Sequence, residues 1–263
     1  MIKLIVVDMD GTLLNDQHEI HPDFWEMEQR LTDKGIMFSV ASGRQYYNLQ
    51  QKFDKIKNRL LFIAENGTYV VRHGKELYLN ELNKEAALEF IEIGRKLENT
   101  DLILCGKESA YIECENPDFY AEVKKYYARL RVVEDLTKVE DTILKVTLSH
   151  LDGVEENTFP HYAKFKDAYK VAIAAKVFLD ITSLNANKGN AIKGIQKELE
   201  ISEEETLVFG DYLNDLEMMS TAKYSYAMKN AHPDIINASN YITRFSNNDN
   251  GVLKTIEELD LFT

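Results

Sequence analysis

The chain opens on a run of apolar residues, Leu4–Val7, that stops at Asp8 and gives way to the polar, glycine-containing stretch DGTLLN. Leu4–Asp8 reads as a strand buried on both faces, because its apolar residues do not alternate with polar ones. Residues Pro22–Lys34 carry a helical pattern, with Pro22 in the first turn and Gly35 just past the end. Ile36–Ser42 is a second strand, Gln45–Lys57 a second helix and Leu61–Asn66 a third strand. The pattern returns late in the chain. Lys188–Leu199 places Ala191, Ile192, Ile195 and Leu199 on one helical face, and Thr206–Asp211 is another apolar strand ending in a carboxylate. A short helix, a strand at Lys223–Met228, a helix from Pro233 and a strand at Tyr241–Thr243 follow. Strands of continuous apolar character alternating with helices predict an α/β, doubly wound parallel sheet of Rossmann-like type.

The middle of the chain has a different texture. Thr68–Asn80 alternates around His73-Gly74, the signature of a hairpin. From Asn83 to Thr182 the pattern gives a helix, strands near Leu102 and Tyr111, a helix from Pro117 and a strand near Val132. A strand at Leu144–His150, a helix near Tyr162 and the strand pair Tyr169–Ala175 and Val177–Ser183 complete it. This is an α+β unit inserted in the first domain. The expected organisation is a discontinuous core of residues 1–82 and 186–263 with an inserted domain at 83–185.

Bulk properties narrow the function. A formal net charge of -13 over 263 residues disfavours nucleic acid as a partner, since the summed field repels polyanions. Cys105 and Cys114 are too few to staple a chain of this size, so a reduced, cytoplasmic protein is expected. The apolar run at the N-terminus spans about five residues, too short for a signal-peptide core. No apolar run reaches the length of a membrane span. The pattern says nothing of oligomeric state.

In an open parallel sheet, ligands bind beyond the carboxyl ends of the strands. The first strand ends in Asp8, Asp10 and Thr12, the second in Ser42, Gly43 and Arg44, and the third in Asn66. Lys188-Gly189 opens a later helix, and Asp211, Asn214 and Asp215 follow a later strand. Close carboxylates disfavour one another's ionisation, so a set like this implies either a proton carried by one of them or an offsetting charge, most simply a metal ion, and hard oxygen ligands suit Mg2+. A carboxylate can also attack phosphorus and split one hard step into two. Asp8 is best placed as nucleophile, and Asp10 could protonate the leaving oxygen and then activate water. Ser42 and the backbone N–H groups of Met9 and Gly43 could hold phosphoryl oxygens, while Lys188 neutralises charge on the transferring group. Gly11 permits the sharp turn after the strand, and Thr12 could brace that turn through a backbone hydrogen bond. Taken singly, Asp211, Asn214 and Asp215 could equally cap the helix that follows them.

The ordered set DMDGT, ASGR, NKG and GDYLND resembles the haloacid dehalogenase (HAD) superfamily of phosphohydrolases. The insert and the ENGT stretch at Glu65–Thr68 resemble its Cof-type branch, which carries a large α+β cap of the C2B kind. The resemblance implies a Mg2+-dependent phosphatase of small phosphorylated metabolites, such as sugar phosphates, working through an aspartyl-phosphate. It implies that Asp8 is nucleophile and Mg2+ ligand, that Asp10 is general acid/base and ligates through its carbonyl, and that Asp211 ligates with Asp215 in support. Met9, Ser42, Gly43, Lys188 and Asn214 would bind phosphate, and Arg44 and Asn66 would face the substrate. Thr68 stands where such proteins often carry Ala, and Ser183–Asn187 lacks the Pro-Gly often found before the lysine. A hexose phosphate phosphomutase is the alternative within the superfamily. A receiver phosphorylated on aspartate is a third reading, which leaves the insert without a purpose.

Overall fold

The computed structural model describes residues 1–113 and 117–261. Its strands are β1 (Leu4–Asp8), β2 (Met37–Ala41), β3 (Leu61–Ala64), β4 (Tyr69–Arg72), β5 (Lys75–Leu79), β6 (Asp101–Gly106) and β7 (Ala110–Ile112). There follow β8 (Leu130–Val132), β9 (Ile143–Ser149), β10 (Tyr169–Ala175), β11 (Phe178–Ser183), β12 (Thr206–Gly210), β13 (Tyr224–Ala227) and β14 (Tyr241–Ile242). The helices are α1 (Phe24–Asp33), α2 (Tyr46–Lys52), α3 (Lys84–Gly94), α4 (Pro117–Val123), α5 (Val154–Asn157) and α6 (Phe159–Tyr162). The last four are α7 (Lys188–Glu198), α8 (Leu216–Met219), α9 (Pro233–Ala238) and α10 (Gly251–Glu258).

Two compact units result, Met1–Leu79 with Asn187–Thr263, and Asn80–Ala186. The first is built on a sheet of order β14-β13-β12-β1-β2-β3-β4-β5. All its pairings are parallel except β3–β4 and β4–β5. From β1 the chain steps outward through β2 and β3, then re-enters on the other flank as β12 and moves outward again. β1 is therefore the point where strand order reverses, which is where such sheets form a ligand crevice. Its residues Leu4, Ile5, Val6 and Val7 are fully buried, as continuous apolar character requires. One face packs Leu4, Val6, Ile63 and Val208 against Ala191, Ile192 and Ile195 of α7. On the other, Phe24 of α1 meets Phe38 and Phe53 edge-on at 5.3 and 5.9 Å.

α2 ends at Lys52, five residues before the expected Lys57. The chain continues in tight turns, with Ile56 N–H donating to Phe53 O (2.9 Å) and Arg59 N–H to Ile56 O (2.8 Å). The apolar spacing of Phe53, Ile56 and Leu60 persists, but short i→i+3 turns rather than a helix deliver these residues to the core. The hairpin turns at His73 and Gly74, both at positive φ (52° and 71°), as a two-residue turn between twisted strands demands.

The second unit has strand order β10-β11-β9-β6-β7-β8, antiparallel throughout except β7–β8. Phe90 and Ile91 of α3 cover one face at Leu104, Val146, Leu148 and Ile181. Phe119 and Val123 of α4, with Tyr127, cover Ile103, Cys105 and Ile112 on the other. The change of unit falls at Leu79/Asn80 rather than after residue 82, since Leu82 N–H donates to Ile143 O (2.8 Å) and its side chain joins the second unit's core. The return falls at Ala186/Asn187. Cys105 is buried, with its thiol 3.3 Å from the Tyr127 hydroxyl, and Cys114 lies outside the described residues. An α/β core with an inserted α+β unit is the class expected from the sequence. No helix among the described residues is long and apolar enough to cross a membrane.

Candidate active site

The site begins with the way β1 ends. Asp8 pairs with Ala41 across the β1–β2 ladder, so Asp8 and Ser42 leave the sheet at the same level. On the other flank Val7 is opposite Phe209, which sets Asp211 just beyond the same edge. After Asp8 the chain folds back on itself, with Leu13 N–H donating to Asp8 O (3.2 Å) and Leu14 N–H to Met9 O (2.8 Å). Gly11 sits in this turn at φ 82°, and a Cβ there would lie 2.3 Å from Asp211 Oδ2. Only glycine permits both the backbone angle and the approach of Asp211.

Asp8, Asp211 and Asp215 each offer a carboxylate oxygen within 4.8 Å of the others. Lys188, the first residue of α7, is wholly buried among them. Its ammonium donates to Asp8 Oδ1 and, at 2.7 Å, to Asp215 Oδ1. The other Asp215 oxygen accepts from the backbone N–H groups of Asp211 (3.0 Å) and Tyr212 (3.3 Å). Asp215 therefore both ties down the loop after β12 and anchors Lys188. The Thr12 hydroxyl donates to Asp211 Oδ1 at 2.7 Å. It thus braces a carboxylate from the opposite flank rather than its own turn, which was the expectation.

The charges do not balance. Burial first, then the neighbouring Asp215 and Asp211, push Asp8 well above the ordinary carboxylate range, against the pull of Lys188. Burial likewise pushes Asp211 up to about 6, opposed by the Thr12 hydroxyl. Burial works against the charge on Lys188, but Asp215 and Asp8 outweigh it and hold the ammonium above its ordinary value. With all three carboxylates ionised against one ammonium, two negative charges remain, which one divalent cation would cancel. The donors are all hard oxygens, and the Gly11 cradle holds Asp211 toward them, so the residues fit Mg2+.

Asp10 stands outside this cluster. Its carboxylate takes a two-pronged bond from Arg44, at 2.9 Å from Nε and 2.6 Å from a terminal nitrogen, and meets His18 Nδ1 at 3.1 Å. Burial disfavours its charge, but the Arg44 and His18 bonds prevail and hold it below the ordinary range. Arg44, expected to face substrate, is thus engaged with Asp10. His18 was not anticipated. It lies on a polar turn closed by His18 N–H donating to Asn15 O (2.8 Å), where no periodicity or spacing marks it.

The remaining residues form the rim. Ser42 is buried, and its Oγ accepts from Arg44 N–H (3.2 Å), which leaves its own O–H available to a ligand. Asn66 N–H donates to Ser42 O (2.9 Å), and the Asn66 amide packs on Gly43. Asn214 Nδ2 donates to Asn66 Oδ1 at 3.1 Å. Met9 is fully buried, its carbonyl accepting from Thr12 and Leu14.

Comparison with known proteins agrees with this geometry. The model of the haloacid dehalogenase-like hydrolases matches residues 5–256. The chain is 36% identical over 265 residues to the 5-amino-6-(5-phospho-D-ribitylamino)uracil phosphatase YbjI of Escherichia coli, covering 98% of this chain and 96% of that one. It is 26% identical to YcsE of Bacillus subtilis, which bears the same enzyme name, over 97% and 94% of the two chains. A solved structure from Eubacterium rectale superposes with a TM-score of 0.90 at 30% identity, over 98% and 99% of the chains. With its first strand ending in DMDGT and the family pattern running almost end to end, the chain belongs to the haloacid dehalogenase-like hydrolases, as a phosphatase of the Cof-type branch.

Proposed function

We propose that this phosphatase hydrolyses small phosphorylated metabolites by a covalent route through Asp8, with Mg2+ as its cation. The observation that carries the reading is the buried cluster of Asp8, Asp211 and Asp215 around Lys188. Asp8 attacks phosphorus, the bond from phosphorus to the leaving oxygen breaks, and an aspartyl-phosphate forms. Water then attacks that phosphorus and returns the carboxylate. Asp8 and Asp211 would hold the cation, with the Asp10 carbonyl, and Asp215 would fix the arrangement from behind. Bound there, the cation supplies positive charge to a phosphoryl group that Lys188 alone cannot neutralise. Ser42, Asn214 and the N–H groups of Met9 and Gly43 orient the phosphoryl oxygens.

Asp10 gives a proton to the leaving oxygen and later takes one from water. A carboxylate gripped by Arg44 and His18 resists protonation, so the Arg44 clamp has to open as substrate enters. Arg44 is then released toward the substrate, and Asn66 lines the same rim. Residues Asn80–Ala186 would be the cap that the resemblance implies. The name borne by YbjI and YcsE makes 5-amino-6-(5-phospho-D-ribitylamino)uracil the first substrate to try, followed by sugar phosphates.

The test is phosphate release across a panel of such metabolites, with and without Mg2+. Asp8→Asn should fold normally and lose on the order of 10^4-fold or more in kcat, the scale at which removal of a nucleophile is felt. Turnover undiminished in Asp8→Asn, or undiminished by chelation of divalent cations, would remove the covalent route or the cation respectively.

A further inference from the structure

Behind the residues proposed to hold the phosphoryl group, one strained turn ties three of them together. Glu65, Asn66 and Gly67 are three successive residues at positive φ, 49°, 55° and 91°. Single residues visit this left-handed region, and glutamate seldom does. Strain of this kind persists only where the surroundings hold it. Here Glu65 N–H donates to Arg44 O (3.1 Å), Asn66 N–H to Ser42 O (2.9 Å), and the buried Thr68 hydroxyl to Glu65 O (2.8 Å). Thr68, the departure from the usual Ala, thereby closes the turn with its side chain.

The turn presses on the helix that carries Lys188. A Cβ on Gly67 would lie 2.3 Å from Asn187 O and 2.9 Å from Lys188 N. Asn187 is the N-cap of α7, its side chain accepting from Asn190 N–H at 2.7 Å. The same turn sends Asn66 to Asn214. Ser42, Lys188 and Asn214, from three separate segments of chain, are thus referenced to three consecutive residues.

We infer that the Glu65–Gly67 turn is a positioning brace, in which Gly67 sets where the start of α7 stands and hence where the Lys188 ammonium meets Asp8. The catalytic consequence rests on the phosphatase reading above; the mechanical one does not. Gly67 is a positioning residue and touches no substrate. A methyl group there pushes Asn187 and Lys188, the start of α7, away from the turn and loosens the ammonium from the nucleophile.

The test compares Gly67→Ala with Gly74→Ala in the full chain. Gly74 has nearly the same unfavourable backbone (φ 71°), yet a Cβ there meets nothing within 4 Å. Both variants carry the backbone penalty and only one carries the collision. Backbone hydrogen exchange of residues 187–191 should quicken in Gly67→Ala and stay as in the parent in Gly74→Ala. On para-nitrophenyl phosphate, kcat should fall about tenfold or more in Gly67→Ala, with a smaller change in KM, and stay within about twofold in Gly74→Ala. Should Gly67→Ala fail to fold, Thr68→Val takes its place, removing the hydroxyl that closes the turn without adding bulk, with the same local exchange expected. Equal behaviour of the two glycine variants, or exchange quickened uniformly across the core, would overturn the brace. Local quickening in Gly67→Ala with a parent protein inactive on every phosphate ester would uphold the brace and reject the phosphatase.

Discussion

The two units each bury a lysine in contact with carboxylate, and the two settings differ in kind. In the second unit Lys145 meets Asp180 at 3.1 Å, and Asp180 accepts a further bond from the Thr147 hydroxyl at 2.6 Å. A cation meets an anion there, and both side chains are nearly buried. In the first unit Lys188 faces Asp8 and Asp215, with Asp211 beside them, and the sum stays negative. A lysine and a carboxylate in contact, the carboxylate braced by a hydroxyl, read as structure. An unbalanced cluster is held at a cost and reads as a site arranged for something that arrives. The surplus of carboxylates around Lys188, rather than its burial alone, marks it as a site.

The sharpest way to break this contrast is to delete each lysine. Lys188→Met should cost about 10^2- to 10^3-fold in kcat, the range for removing one charge-stabilising donor, when measured by steady-state phosphate release. Lys145→Met should act on folding instead. Stranding Asp180 costs on the order of 3–5 kcal/mol, and replacing both partners by apolar residues recovers much of it, as read by denaturant melts. If the two lysine deletions exchanged their effects, the distinction between site and structure would fail.

A second test uses protons. A carboxylate raised in the folded state contributes stability that is present below its unfolded value and lost as pH rises through its folded one. Without cation, Asp211 therefore weakens the fold as pH rises from about 4 through about 6. Cation and proton compete for the same oxygen, so the rise in Tm on adding Mg2+ should grow as pH increases through about 6. Asp211→Asn should flatten that dependence. The smallest effect belongs to the Arg44–Asp10 clamp, whose partners are partly open to water. Arg44→Met should change stability by about 1 kcal/mol or less in a thermal melt, a value typical of such pairs.

Much of the site was legible because parallel strands announce themselves. An apolar run such as Leu4–Val7 or Leu207–Phe209 has few other uses, and the residue after it has to leave the sheet at the ligand-binding edge. Asp8, Asp211 and Lys188 could be grouped on that ground. The Asp10 clamp was not legible, since His18 sits on a turn without period and Arg44 could equally have faced solvent or substrate. The true partner of Thr12 was also hidden, because it depends on a contact across 199 positions that local spacing does not encode. The left-handed turn at Glu65 and Asn66 had no local signal either. Only Gly67 advertises that conformation, and its need for a missing side chain comes from α7, far along the chain.

The β1–β12 pairing has a consequence for synthesis. Val6 lies beside Val208, so β1 keeps one flank bare until roughly 200 residues more have been made. At ~5–20 residues per second that interval is on the order of 10–40 s, during which a strongly apolar ribbon has an unoccupied edge. The nascent chain should accordingly depend on chaperone shelter more than the finished fold would suggest, and a chain cut short before Thr206 should yield aggregates rather than a smaller enzyme.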